Sequence, residues 1–127
     1  MQVGETVFAH GGVLPEHAQA GLDTLNRTVQ DWMLGGPVPP DAWMGPRAPT
    51  WTRLYSDGTP SAAACAQLDE TLQLLGATRM VVGHTVQREP SSACGNKVWR
   101  IDVGMAAHYG GQPAALEITP RGVKVLR

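Results

Sequence analysis

Two histidines stand where a buried strand would end. His10 closes the short apolar run Thr6-Val7-Phe8-Ala9 and is followed by Gly11 and Gly12. His84 follows Arg79-Met80-Val81-Val82-Gly83 in the same manner. A short apolar run bounded by glycine reads as a buried strand, and open α/β sheets collect their ligands at the carboxyl ends of such strands. Neutral imidazole is the commonest protein metal ligand, and a strand end holds it rigidly. Each histidine alone fits a hydrogen-bonded structural role equally well. The pair, in matching contexts, predicts a shared metal site.

Other candidates are weaker. Arg53 lies in a loop beside Trp51 and carries a guanidinium that can clamp a phosphate through parallel hydrogen bonds, although a surface arginine fits the same position. His108 and Tyr109 sit in a glycine-flanked loop that could reach a bound ligand or form a plain loop tip. His17 falls near the polar side of a helix and is expected to be solvated. Asp102 could orient a histidine from behind, but a carboxylate with a backbone partner is the simpler expectation. Trp99 reads as a packing anchor.

These residues need elements to hold them. Val3 to Ala9 is the first predicted strand. Pro15 opens a helix, in which Ala18, Leu22, Leu25, Val29 and Trp32 fall on one face until Gly35-Gly36 ends it. Residues 35–60 form a long loop rich in proline and aromatic side chains, of a kind that is often functional; it is expected to lie across a cleft, with Thr50 to Tyr55 weakly extended. Thr59-Pro60 starts a second helix lined by Cys65, Leu68, Leu72 and Leu75, and Gly76 closes it. Thr78 to Val82 is a strand, 87–96 a polar loop, and Lys97 to Val103 another strand. Ala114 to Ile118 and Val123 to Leu126 make a hairpin around Pro120 and Gly122. The order of strand, helix, long loop, helix and four strands predicts mixed α/β structure with a sheet that is not purely parallel.

Bulk properties narrow the classes. The chain has 127 residues, which suits one domain with a modest core. With 43% hydrophobic and 17% charged residues it is globular rather than disordered. A formal net charge of -1 argues against a general nucleic-acid binder. No apolar run approaches the roughly 20 residues that span a bilayer, so no membrane partner is expected. Met1 to Glu5 shows no signal-peptide pattern, and two cysteines outside a C-x-x-C pair read as reduced thiols. Both features point to a cytoplasmic setting. A functional strand so near the first residue also suggests part of something larger.

The ordered set of motifs resembles a known family. Val7-Phe8-Ala9-His10-Gly11-Gly12, followed by Val13-Leu14-Pro15, resembles the HGG segment of the calcineurin-like metallophosphatases, in their phosphoprotein phosphatase branch. Val81-Val82-Gly83-His84-Thr85 resembles the later histidine motif of that superfamily. Pro49 to Arg53 and Lys97 to Met105 resemble segments of the Shewanella-like phosphatases. The likeness covers about residues 3–119. It implies a β-sandwich flanked by helices, of which residues 1–127 would form the C-terminal half as a single partial domain. It implies a binuclear centre of Mn, Fe or Zn, with His10 and His84 ligating the same ion. It places Arg53, and Tyr109 of Tyr109-Gly110-Gly111, at the substrate phosphate. The substrate would be a phosphoprotein or a small phosphoester.

Two departures matter. Val86 stands where many metallophosphoesterases have a further histidine, which fits the phosphoprotein phosphatase branch. The GDxHG, GDxxDRG and GNHE motifs, which supply most of the family's metal ligands, do not occur here. Two metal ions about 3.5 Å apart need carboxylates to offset their charge, and two neutral imidazoles cannot do this. The expectation is therefore at most one weakly bound ion, little turnover, and a half-fold that self-associates or pairs with a missing N-terminal half. The alternatives are a non-catalytic binding or regulatory remnant of the same fold, and a mononuclear zinc hydrolase using His10, His84 and His108.

Overall fold

The computed structural model describes residues 1–127. A mixed sheet of five strands carries the fold, in the spatial order β1-β2-β3-β5-β4. Its strands are β1 (Gln2–Val3), β2 (Thr6–Ala9), β3 (Arg79–Val82), β4 (Ser91–Ala93) and β5 (Val98–Arg100). β2, β3 and β5 run parallel, and the edge strands β1 and β4 pair antiparallel to their neighbours. The helices are α1 (Pro15–Ala20), α2 (Leu22–Met33) and α3 (Ala62–Leu75). A separate hairpin, β6 (Ala115–Thr119) with β7 (Gly122–Leu126), forms its own two-stranded sheet. The mixed α/β class read from the sequence is the class observed.

The core follows strand alternation. Val7 of β2, Met80 and Val82 of β3 and Val98 of β5 turn to one face and meet Ala18 of α1 with Leu68 and Leu72 of α3. Val13, Leu14 and Tyr55 complete the cluster. The predicted helix period thus places Leu68 and Leu72 on the buried stripe of α3. Each fully buried side chain of this size contributes about 1.5–3 kcal/mol relative to exposure.

Several boundaries differ from expectation, each for a local reason. The first strand is two strands, because Gly4 takes φ +55 and folds Gln2–Val3 back onto β2. The first helix is two helices, because Gly21 at φ 86 caps one and starts the next. α3 starts at Ala62: Ser61, not Thr59, is the N-cap, its hydroxyl accepting the Ala64 N–H at 3.1 Å. Gly76 ends α3 in the left-handed conformation at φ 60, as its position suggests. Residues 87–96, expected to be loop, contain β4, and the strand over 97–103 shortens to Val98–Arg100. Thr50 to Tyr55 is not extended but winds through helical turns, with Thr52 N–H on the Ala48 carbonyl and Ser56 N–H on the Arg53 carbonyl.

Two further expectations are corrected. Cys65 and Cys94 are not free thiols; they form a disulfide with Cα atoms 5.3 Å apart. They lie 29 residues apart in sequence, and only the passage of the β4–β5 turn beside α3 brings them together. His17 is not solvated but 0% exposed. Its Nδ1 accepts the Leu14 N–H at 3.1 Å, and its Nε2 lies 3.3 Å from the Ala42 carbonyl oxygen. It thereby clips the start of α1 to the long loop. No helix is long and apolar enough to cross a membrane.

Candidate functional site

β2 and β3 are parallel and in register, Ala9 opposite Val82. Their carboxyl ends therefore deliver His10 and His84 to the same place. The Gly83 N–H donates to the His10 carbonyl at 2.9 Å, tying the two loops directly. The rings meet at a tilt of 53°, with His10 Nε2 3.1 Å from His84 Nδ1 and centroids 4.8 Å apart. The two histidines singled out by their strand-end contexts thus form one pair across 74 residues of sequence.

The glycines after His10 answer to crowding. The Gly11 and Gly12 N–H groups both donate to the Pro49 carbonyl, at 2.7 and 3.1 Å. A Cβ on Gly11 would stand 2.6 Å from the Thr52 carbonyl oxygen, and one on Gly12 would stand 2.9 Å from the Tyr55 ring. The Tyr55 hydroxyl in turn donates to the Val13 carbonyl at 3.2 Å, and burial pushes that phenol's pKa up to about 12, so it stays a donor. Residues 48–56 are thus wedged under the loop that carries His10.

The same segment grips the other loop. Arg53 Nη1 donates to the His84 carbonyl at 3.2 Å and to Thr85 Oγ1 at 3.0 Å. Arg53 therefore sits beside the histidine pair, one nitrogen engaged with protein and the exposed guanidinium facing solvent. The Trp51 ring meets the His84 ring edge-on, with centroids 5.3 Å apart.

Desolvation holds the His84 pKa below the usual imidazole value, and the positive charge of Arg53 and the neighbouring His10 add to this. The Trp51 carbonyl and Asp102 oppose it without reversing it. His84 is accordingly a neutral ring near pH 7, the form that donates a lone pair. Its Nε2 is buried without a hydrogen-bond partner.

Not every candidate joins the pair. Tyr109 is 62% exposed, its ring against His108 at 4.9 Å. It packs on Gly104, where a Cβ would meet Tyr109 Cβ at 2.6 Å and Val86 Cγ1 at 3.0 Å. Tyr109 thus borders the stretch just after His84 rather than the rings. Asp102 does not touch a histidine; its Oδ1 accepts the Gly104 N–H at 3.0 Å and closes a turn. No group of three or more His, Cys, Asp or Glu side chains is placed to hold a metal ion.

One feature had no sequence signal of its own. A groove of about 710 Å³ opens beside His10, bordered by Phe8 of β2, by Leu25, Val29 and Trp32 of α2, and by Trp43 and Trp51 of the long loop. The apolar face of α2 was legible, but the absence of a covering layer was not. Met33 and Leu34 at its rim are 77% and 80% exposed.

No family model matches the chain. Its fold is that of phosphatase domains. A solved cold-active protein tyrosine phosphatase superposes with a TM-score of 0.74 at 21% identity, covering 98% of this chain and 38% of that one. The cold-active protein tyrosine phosphatase of a psychrophilic Shewanella species gives a TM-score of 0.72 at 22% identity, covering 100% and 42%. In sequence, the chain is 37% identical over 131 residues to Shewanella-like protein phosphatase 2 of Arabidopsis thaliana. The chain spans about a third of that relative's length: the match takes in 98% of this chain but 34% of the plant protein.

Proposed function

We propose that this chain is the C-terminal half of a metal-dependent phosphoester hydrolase, acting on phosphoproteins or small phosphoesters once a complementary N-terminal half is present. The observation that carries the reading is the 3.1 Å approach of His10 Nε2 and His84 Nδ1. Two nitrogens bound to one ion at about 2.1 Å stand about 3.0–3.4 Å apart, so the pair suits a single divalent ion. With no carboxylate in the cluster, it does not suit two. Imidazole donors are compatible with Zn, Fe or Mn, and a divalent ion supplies Lewis-acid polarisation of a phosphoryl oxygen.

The chain's own residues then have separate tasks. His10 and His84 would hold the ion through their ring nitrogens. Arg53, anchored through Nη1, turns its remaining N–H groups toward the phosphate oxygens. Tyr109 lies further out, at the mouth. The apolar groove beside His10 receives the complementary half. The cytoplasmic expectation relied partly on free thiols; with Cys65 and Cys94 joined, we favour a compartment that keeps disulfides oxidised.

The test is metal titration by calorimetry together with para-nitrophenyl phosphate hydrolysis, on the chain alone and with the N-terminal half of a Shewanella-like phosphatase added. Alone, the chain should bind at most one Mn²⁺ or Zn²⁺ and turn over little. With the added half, metal uptake and hydrolysis should rise, and His10→Ala or His84→Ala should abolish both. Two ions and full turnover by the chain alone would overturn the half-site reading. No uptake and no hydrolysis with the half supplied would leave a non-catalytic remnant instead.

A further inference from the structure

His84 has a backbone conformation that its side chain disfavours. Its φ is 64, in the left-handed region, where a non-glycine residue costs on the order of 1–3 kcal/mol and persists only if its surroundings impose it. Arg53 holds the His84 carbonyl from one side. The other restraints converge on Thr85. Its N–H donates to the Gly83 carbonyl at 2.7 Å, and its hydroxyl lies 2.7 Å from the hydroxyl of Ser56, which is fully buried. The Gln87 side-chain amide donates to the Thr85 carbonyl at 2.9 Å and to the Ser56 carbonyl at 3.0 Å. Both its protons are therefore used. The Gln87 backbone N–H is itself fixed on the Asp102 carbonyl at 2.7 Å.

We propose that Gln87, acting with Ser56 and Thr85, is a positioning residue for His84: its amide staples the loop after β3 to residues 53–56 and holds the His84 backbone left-handed, so that Nδ1 faces His10. This rests on the reading of His84 as a metal ligand, but the geometry it fixes exists without metal. Gln87 touches neither ring. The amide supplies one proton to each carbonyl: methionine fills the space without donating, and glutamate would set a carboxylate against two carbonyl oxygens.

The experiment compares Gln87→Met, Thr85→Val and Thr85→Ser in the full chain, with Leu72→Ala as a destabilised control whose side chain lies in the core. Zn²⁺ affinity is read by calorimetry. In metal-free protein, the ring ¹⁵N signals of His10 and His84 and the intraresidue Hα–HN contact of His84 are read by NMR. Gln87→Met and Thr85→Val should weaken Zn²⁺ binding about 10–100-fold and erase the left-handed signature of His84. Thr85→Ser, which keeps the hydroxyl, should retain both, as should Leu72→Ala. If Gln87→Met lowers the melting temperature as Leu72→Ala does but leaves Zn²⁺ affinity and the His84 signals unchanged, the residue is merely structural and the proposal fails. If the unmutated chain binds no Zn²⁺, the ligand reading fails, and the metal-free His84 signals alone decide the positioning role.

Discussion

The two flanks of the histidine pair are built differently. On the Arg53 side, the chain closes on itself through hydrogen bonds from Arg53, Ser56, Gln87 and the Gly11 and Gly12 amides. On the α2 side, Phe8, Trp32, Trp43 and Trp51 face an open groove. Polar ties finish one wall of the site within this chain; the other wall is apolar and lacks a covering layer. Hydrophobic attraction is non-directional, so such a face accepts any complementary surface, whereas the tied wall admits one geometry.

This contrast is open to direct attack. The largest change is expected from the open flank. Sedimentation velocity should show the chain as associated species, and Met33→Asp with Leu34→Asp should shift it toward monomer while Zn²⁺ binding stays. A monodisperse unmutated monomer would mean that the groove does not drive association. Next comes the far edge of the sheet, where Cys65→Ser removes the disulfide. A link closing a loop of this length contributes about 2–4 kcal/mol, read as a lower urea midpoint, and Zn²⁺ affinity should not move. Equal loss of affinity would show that the edge and the site are not independent.

The smallest effect is expected from His17, a histidine that serves packing rather than chemistry. Burial lowers its pKa in the folded state, against the raising influence of the Ala42 carbonyl and Glu16. The unfolded chain then takes up a proton near the ordinary value of about 6.5 while the folded chain resists. The His17 contribution is therefore complete above about pH 6.5 and is lost as the pH falls from there through the lowered folded pKa. Urea midpoints at about pH 7.5 and about pH 5.5 should differ, and His17→Gln should shrink the difference. An unchanged difference in that variant would assign it to other groups.

What could be read in advance follows physical range. β2 and β3 announce themselves as short apolar runs and α3 through its helical period, and glycine marks the ends of β3 and α3. The pairing of His10 with His84 was expected from their matching contexts, but that β2 and β3 are parallel neighbours in register is what brings the rings together. Features set by distant contact were hidden. The burial of His17 depends on the Ala42 carbonyl arriving from the long loop. The disulfide depends on where the β4–β5 turn crosses α3. β4 is three residues of serine and alanine, too short and too polar to show a period, and exists because β5 offers it an edge. Arg53 read from its own neighbourhood as a surface arginine, and only the family resemblance set it at a phosphate; its bond to the His84 carbonyl had no local mark.

The glycines beside His10 carry one more consequence. Gly11 is small because the Thr52 carbonyl oxygen would stand 2.6 Å from any Cβ there, and Gly12 because Tyr55 occupies the same space. Two of the three letters in the His-Gly-Gly segment thus record clearance between chain segments. A descendant that kept this shape would be obliged to keep both glycines whatever its chemistry. In tracing the ancestry of such chains, the glycines mark inheritance of the fold, independently of any chemistry at the histidine before them.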